Sequence, residues 1–144
     1  MEKRIHLVCP HCDSTNRIPL HGLAGKPKCG RCHKPLFNTQ SISLTTDKFQ
    51  KHMRNNDIPL LVEFWAPWCG FCQKMATSFE QAAAILQPQV RLIKVNSDQE
   101  PILSRQHSVQ GLPTVILFKG GKEVARQSGV MSAEQIVNWT RAHL

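Results

Sequence analysis

The 144-residue sequence contains no long uninterrupted run of apolar residues, although apolar residues make up 41% of it. Its longest apolar runs are only a few residues long, whereas a helix that crosses a membrane needs about 20. The residues before Cys9 also lack the hydrophobic segment of a secretory signal peptide. These absences argue against a membrane protein and against a secreted one, so we expect a cytoplasmic location.

No cysteine stands outside a C-x-x-C pair. The six cysteines form three such pairs: Cys9 with Cys12, Cys29 with Cys32, and Cys69 with Cys72. Structural disulfides are rare in the cytosol, so this spacing favours metal binding and catalysis over a disulfide framework. The chain also has no domain-sized internal repeat and no low-complexity tract.

Acidic residues are scarce, with 10 Asp and Glu against 18 Lys and Arg and a formal net charge of +8. Residues 1–38 carry seven of the basic residues and only two of the acidic ones. A modest basic excess on a small module is typical of a solvated surface, and the net charge alone does not indicate a nucleic-acid partner. We therefore expect none.

The first 38 residues carry four cysteines in the spacing C-x₂-C-x₁₆-C-x₂-C. This spacing is typical of a tetrahedral zinc site filled by four thiolates. A segment of roughly forty residues buries too little apolar surface to fold unaided, and a bound metal supplies the missing stabilisation. We predict one structural zinc; two further redox pairs are the alternative. The predicted ligands are Cys9, Cys12, Cys29 and Cys32, and the histidines expected on the surface are His6, His11, His21 and His33.

The composition changes near residue 38, where turn-forming residues give way to alternating strand and helix signals. We predict a zinc-binding ribbon over residues 1–38 and a second domain over residues 39–144. Strands and helices that alternate in the second domain predict an α/β fold with a mixed central sheet flanked by helices. The predicted strands are 41–44, 60–65, 90–96, 114–119 and 122–128. The first predicted helix is capped by Thr45 or Thr46, and the other helices begin at 69, 101 and 133.

The third cysteine pair lies at the start of a predicted helix, directly after an apolar strand. Residues three apart on a helix have Cβ atoms about 5–6 Å apart, and a disulfide needs Cα atoms about 4.4–6.8 Å apart. Cys69 and Cys72 can therefore form and break a disulfide with little backbone movement. The free N–H groups at the helix N-terminus favour a thiolate on Cys69, and we expect Cys72 to be the less exposed of the two.

The segment Trp65-Ala66-Pro67-Trp68-Cys69-Gly70-Phe71-Cys72, followed later by Gly111-Leu112-Pro113-Thr114, resembles the thioredoxin family from about Ser41 to the C-terminus. The cysteine-rich segment in front resembles the N-terminal zinc-binding domain of a bacterial member of that family. The resemblance implies the thioredoxin fold and a protein-disulfide reductase that acts on disulfide-containing proteins. It also implies recycling by an NADPH-dependent thioredoxin reductase, and we expect a monomer.

The resemblance also assigns roles to individual residues. Cys69 is the expected nucleophile and Cys72 the resolving cysteine, so the Cys69–Cys72 disulfide is redox-active. Pro113 aligns with the cis-proline of the family, whose preceding backbone pairs with substrate. The other residues expected along the substrate groove are Trp68, Gly70, Phe71, Gly111, Leu112 and Gly129.

Glu63 is an acid inside the apolar run Leu60–Trp65. Burial raises the pKa of a carboxyl group, so Glu63 is expected to take the proton that Cys72 releases as it attacks. The resemblance implies that Lys94 is the partner of this acid, which is Asp in most thioredoxins. The alternative is a Glu63 whose carboxylate reaches water.

Phe71 replaces the proline that most thioredoxins carry between the two cysteines. Phenylalanine restores an N–H near the Cys69 sulfur, and one added hydrogen bond to a thiolate is expected to make the reduction potential roughly 20–60 mV less negative. This difference leaves two alternatives to a reductase. They are a disulfide oxidase or isomerase, and a redox-responsive zinc-containing binding or chaperone module.

Overall fold

The computed structural model describes residues 3–144 and contains two sheets. The elements are β1 (Arg4–Val8), β2 (Thr15–Pro19), a 3₁₀ helix (Leu20–Gly25), β3 (Ile42–Ser43), α1 (Thr46–Asn55), β4 (Leu60–Trp65), α2 (Gly70–Leu86), β5 (Arg91–Asn96), α3 (Pro101–Gln106), β6 (Thr114–Lys119), β7 (Lys122–Ser128) and α4 (Ala133–Ala142). None of the helices in residues 3–144 is long and apolar enough to cross a membrane.

The larger sheet has five strands in the order β3-β5-β4-β6-β7. Strand β4 lies at its centre, parallel to β5 and antiparallel to β6, so the sheet is mixed, as predicted. Helices α2 and α4 pack on one face around Phe79 and Ile136. Helix α1 and the short α3 cover the other face around Phe49 and Leu103. The predicted α/β architecture is confirmed.

Local sequence signals account for the start of α4 and for the turn between β6 and β7. Ser132 caps α4, and its side chain accepts from the N–H of Gln135 while the Gln135 side chain accepts from the N–H of Ser132. The β6–β7 hairpin turns at Gly120 and Gly121, which have φ angles of 59° and 77°. Two such positive φ angles suit glycine in a two-residue hairpin loop. We call residues 42–144 the sheet unit.

The N-terminal segment forms a small antiparallel hairpin of β1 and β2. We call residues 3–37 the ribbon. Its core contains Leu7 and Leu36 together with the buried cysteines. Ile58, from the loop before β4, packs into the same core, so the ribbon and the sheet unit share an apolar contact. A domain boundary at residue 38 stays a prediction.

Candidate redox site and four-cysteine centre

The Cys69–Cys72 pair lies at the N-terminus of α2, immediately beyond the end of β4. Cys69 is the N-cap residue, and its Sγ accepts a hydrogen bond from the backbone N–H of Cys72 at 3.1 Å. The two Cα atoms are 5.2 Å apart, and the sulfurs form a disulfide. The N-cap position explains why the helix begins at Gly70, one residue later than predicted.

The two cysteines are almost equally buried, with exposed fractions of 5% for Cys69 and 4% for Cys72. Cys72 is the less exposed of the two, as expected, but only by one percentage point in this disulfide-bonded state. Both cysteines lie in one apolar cluster with Ala66, and the partly buried Trp65 and Leu112 pack against that cluster.

Two large aromatic side chains stand exposed beside the disulfide. Trp68 is 71% exposed and Phe71 is 62% exposed. The Trp68 indole Nε1 donates to Asp98 Oδ1 at 3.0 Å, which orients the ring. The Lys74 ammonium lies 5.6 Å from the centre of the Phe71 ring, within the range of a cation–π contact. This surface is apolar with cationic character at one edge.

The segment 111–114 and Gly129, which the sequence analysis places along the groove, lie on another side of the disulfide. The Leu112–Pro113 peptide bond is cis, and Leu112 packs against both cysteines. The carbonyl of Pro113 accepts from the N–H of Gly129 at 2.9 Å. The Thr114 hydroxyl donates to the carbonyl of Gly111 at 2.6 Å. The fold therefore brings the 111–114 segment and Gly129 together beside the cysteines.

Glu63 lies in the centre of β4 and is 1% exposed, so the alternative of a carboxylate in water is excluded. Neither carboxyl oxygen has a hydrogen-bond partner among residues 3–144. Lys94 is its register partner on β5, with Nζ 4.0 Å from Oε1. Burial raises the pKa of Glu63 from its ordinary 4.5 to about 7, and the Lys94 ammonium acts in the opposite direction.

The Glu63→Gln variant is expected to be more stable than the wild type at pH 8 by about 3 kcal/mol. The unfolded carboxyl group loses its proton near pH 4.5, whereas the folded one keeps it until about pH 7. Between these values the folded state binds more protons, so wild-type stability falls as the pH rises. The variant lacks this loss. We also expect it to reduce disulfides more slowly near neutral pH, as the predicted role of Glu63 as proton acceptor for Cys72 requires.

Urea unfolding of both proteins from pH 4 to pH 8.5 measures this difference. We expect the stability gain of the variant to grow across the window from pH 4.5 to 7 and to be constant above it. A stability difference between variant and wild type that does not change with pH would show that the pKa of Glu63 is the same in the folded and unfolded states.

The four N-terminal cysteines converge at one end of the ribbon. Their sulfur atoms all lie within 4.8 Å of one another. Cys9 Sγ is 3.6 Å from Cys32 Sγ, and Cys12 Sγ is 3.6 Å from Cys29 Sγ. Zinc–sulfur bonds of about 2.3 Å in a tetrahedron put the sulfurs about 3.8 Å apart. The donor set and its size fit a zinc ion.

Several hydrogen bonds around the cysteines would stabilise thiolate ligands, although burial raises the pKa of the Cys9 thiol to about 12. The backbone N–H of His11 donates to Cys9 Sγ at 3.3 Å, and that of Arg31 donates to Cys29 Sγ at 3.4 Å. The Asn16 amide donates to Cys29 Sγ at 3.4 Å. Hydrogen bonds from the Cys32 backbone and from Asn16 lower the pKa of Cys29 to about 5. The four histidines of the ribbon are exposed and lie outside this cluster.

Sequence reasoning missed residues that act across long distances in the chain. Asp98 positions Trp68, and nothing in its local sequence indicates that contact. Arg91 is fully buried between the sheet unit and the ribbon. A signal for Arg91 was present, because a charged residue between Val90 and Leu92 interrupts an apolar strand just as Glu63 does.

Comparison with family models matches both parts of the chain. The family described as Thioredoxin matches residues 40–142, and the family described as Thioredoxin 2, N-terminal, matches residues 8–34. The first match covers the sheet unit with Cys69 and Cys72, and the second covers the four-cysteine centre.

Individual proteins give the same result. Thioredoxin C-3 of Corynebacterium nephridii is 37% identical over 133 residues, which cover 92% of this chain and 91% of that protein. Thioredoxin 1 of Nostoc sp. is 32% identical over 104 residues, which cover 72% and 97%. The crystal structure of chloroplastic thioredoxin z superposes with a TM-score of 0.65 at 28% identity, covering 74% of this chain and 96% of that one.

Proposed function

Because the chain belongs to the thioredoxin family and is a protein-disulfide reductase, we propose that its reaction runs through the Cys69-Gly70-Phe71-Cys72 dithiol. One observation carries the proposal: the Cys69–Cys72 disulfide lies at a helix N-terminus beside the cis bond at Pro113. A helix N-terminus stabilises a thiolate, and a thiolate is the group that attacks disulfides.

The reaction transfers two electrons from the dithiol to the substrate. The Cys69 thiolate attacks one sulfur of the substrate disulfide, which forms a mixed disulfide and releases the other substrate sulfur as a thiolate. Cys72 then gives up its proton and attacks Cys69 Sγ, which releases the second substrate sulfur. The substrate leaves as a dithiol, and the protein keeps the Cys69–Cys72 disulfide. Buried Glu63, with Lys94 beside it, accepts the proton from Cys72.

Substrate binding uses the surface around the cysteines. An extended substrate segment lies along Leu112 and Pro113, and the exposed rings of Trp68 and Phe71 contact its apolar side chains. Backbone contacts suit substrates of varied sequence. The substrates are disulfide-containing cytoplasmic proteins, and an NADPH-dependent thioredoxin reductase returns the dithiol.

The ribbon binds one structural zinc through its four cysteines, and four thiolates leave zinc no open position for chemistry. Support comes from the sulfur geometry and from the zinc-ribbon family match at residues 8–34. We propose that residues 1–38 form this module, that residues 39–144 form the redox domain, and that the protein acts as a monomer in the cytoplasm.

Equilibration with a glutathione buffer, combined with an insulin-reduction assay, tests the proposed reductase. The oxidised site has one backbone donor to Cys69 Sγ among residues 3–144, the N–H of Cys72. The N–H of Phe71 in the same helical turn adds a donor when Cys69 is a thiolate. We expect insulin reduction and a potential roughly 20–60 mV less negative than the −270 mV typical of thioredoxin.

The variant Phe71→Pro serves as the matched comparison, because it removes only that N–H and the exposed ring. Its potential should be more negative than that of the wild type. A wild-type potential near the roughly −120 mV of a strong oxidant, without insulin reduction, would favour the oxidase alternative. An unchanged reduction potential in Phe71→Pro would show that the Phe71 N–H does not stabilise the Cys69 thiolate.

A further inference from the structure

Arg91 is a buried cation without a carboxylate partner. It begins β5 in the sheet unit and is 1% exposed. Among the residues that the structure describes, no Asp or Glu lies within ion-pair distance of its guanidinium group. Its Nε atom is buried without a hydrogen-bond partner among those same residues. Removing a charge from water costs several kcal/mol unless other groups compensate it, so a neighbouring anion would stabilise this arrangement.

The hydrogen bond and the ring contact of the guanidinium group both lead into the ribbon. Its terminal nitrogen donates to the carbonyl of Leu36 at 2.7 Å, and its central carbon lies 4.0 Å from the centre of the Phe37 ring. Leu36 in turn packs in one apolar core with Cys9 and Cys29. The guanidinium group therefore lies beside the four-cysteine centre, which is anionic when four thiolates hold a zinc ion.

The four-cysteine centre needs a cation for the opposite reason. Four thiolates and one zinc ion carry a net charge of about −2. The N–H groups of His11, Arg31 and Asn16 that donate to the sulfurs are uncharged, so they do not neutralise this net charge. The lysine and arginine side chains of the ribbon itself are exposed to solvent, where water screens them.

The other titratable groups at this contact do not supply the charge. His52 on α1 is buried, and its pKa is lowered to about 4, first by burial and then by the charge of Arg91. It is therefore neutral near pH 7. Lys48 Nζ and His52 Nε2 each lie 3.7 Å from a carboxylate oxygen of Asp13. The Lys48 ammonium therefore forms an ion pair with Asp13.

We propose that Arg91 is the counter-charge of the four-cysteine metal centre, so that the sheet unit sets how tightly the ribbon holds zinc. Arg91 is a positioning residue that acts through its charge and contacts no metal. Since coupling between two equilibria is reciprocal, bound zinc also strengthens the attachment of the ribbon to the sheet unit. Residues around a metal site commonly change its affinity in this way.

A purely structural role for Arg91 predicts a different result. Its stem and guanidinium plane fill space against Phe37, and an uncharged side chain of similar length would then serve equally well. The two roles differ in which substitution preserves zinc affinity: lysine, which keeps the charge, if the charge matters, and methionine, which keeps an uncharged side chain of similar length, if packing matters.

The first experiment measures zinc affinity by competition with a chromogenic chelator in the full-length protein. Arg91→Met should raise the zinc dissociation constant about 10–100-fold, and Arg91→Lys should recover most of that loss. Arg105→Met changes an exposed arginine of α3 and should have no effect. Arg91→Gln keeps a donor for the Leu36 carbonyl without a charge, and it replaces Arg91→Met if that variant does not fold.

The second experiment compares urea unfolding with zinc bound and after zinc removal under reducing conditions. Arg91→Met should destabilise the zinc-loaded protein more than Arg91→Lys does. Neither variant should change the stability of the zinc-free protein, because the ribbon that covers Arg91 is then unfolded. Equal destabilisation in both states, an unchanged zinc affinity, or a wild-type protein that binds no zinc would each overturn the proposal. Insulin reduction is not used as the readout, so the outcome is separate from that of the redox mechanism.

Discussion

Replacing Cys69 with serine is expected to abolish disulfide reduction, down to the rate measured without protein. Serine cannot form the mixed disulfide with which electron transfer begins. The insulin-reduction assay measures the loss. Zinc content is the control for folding, because Cys69 lies in the sheet unit and the four zinc-binding cysteines lie in the ribbon.

The Cys72→Ser variant should also fail to turn over, but for a different reason. Its Cys69 still attacks the substrate, and the mixed disulfide then accumulates because no second thiol resolves it. Mass spectrometry of the non-reduced protein should find one substrate molecule attached at Cys69. Stable adducts on Cys72 in the Cys69→Ser variant, with none on Cys69 in Cys72→Ser, would reverse the assigned roles.

Zinc removal is expected to unfold the ribbon and to leave the five-stranded sheet intact. Zinc contributes about 10–16 kcal/mol to the folding of small zinc modules, and the ribbon core holds few apolar side chains besides the cysteines. Purified protein should contain close to one zinc per chain by elemental analysis. Cys29→Ser should lower that content and raise amide hydrogen exchange in β1 and β2, but not in β4.

The redox state of Cys69 and Cys72 provides the control for this experiment. Zinc content should be the same whether that pair is oxidised or reduced, because the metal centre uses separate cysteines. A metal-free protein whose amides in residues 3–37 remain protected from exchange would show that the ribbon does not depend on zinc.

The sequence was sufficient for those parts of the fold that rest on local signals. The apolar run of β4, the Ser132 cap and the Gly120-Gly121 turn each specify their element through neighbouring residues. The spacing of Cys69 and Cys72 likewise indicated a disulfide without knowledge of the rest of the chain. Burial of Glu63 followed from its place among apolar residues.

Features that depend on distant contacts were not predictable. Both cysteines are buried in a cluster that Leu112 joins, and Leu112 lies forty residues beyond Cys72 in the chain. The partner of Arg91 lies in the ribbon, so the sequence around β5 could show that a charge was unusual there, but not what compensated it. Asp98 reaches Trp68 through a side-chain contact that no spacing rule anticipates.

The packing of Ile58 into the ribbon core bears on experiments that shorten the chain. A protein that begins at Ser41 would expose Ile58 and Arg91 to water. It would also lack the two hydrogen bonds between Asp57 and the His6 backbone. The Asn56 side chain would likewise lose the hydrogen bond that it accepts from the backbone N–H of Val8. Any lower solubility or activity of such a fragment would partly reflect this newly wetted surface, and point substitutions at the cysteines are the cleaner way to measure what the ribbon contributes.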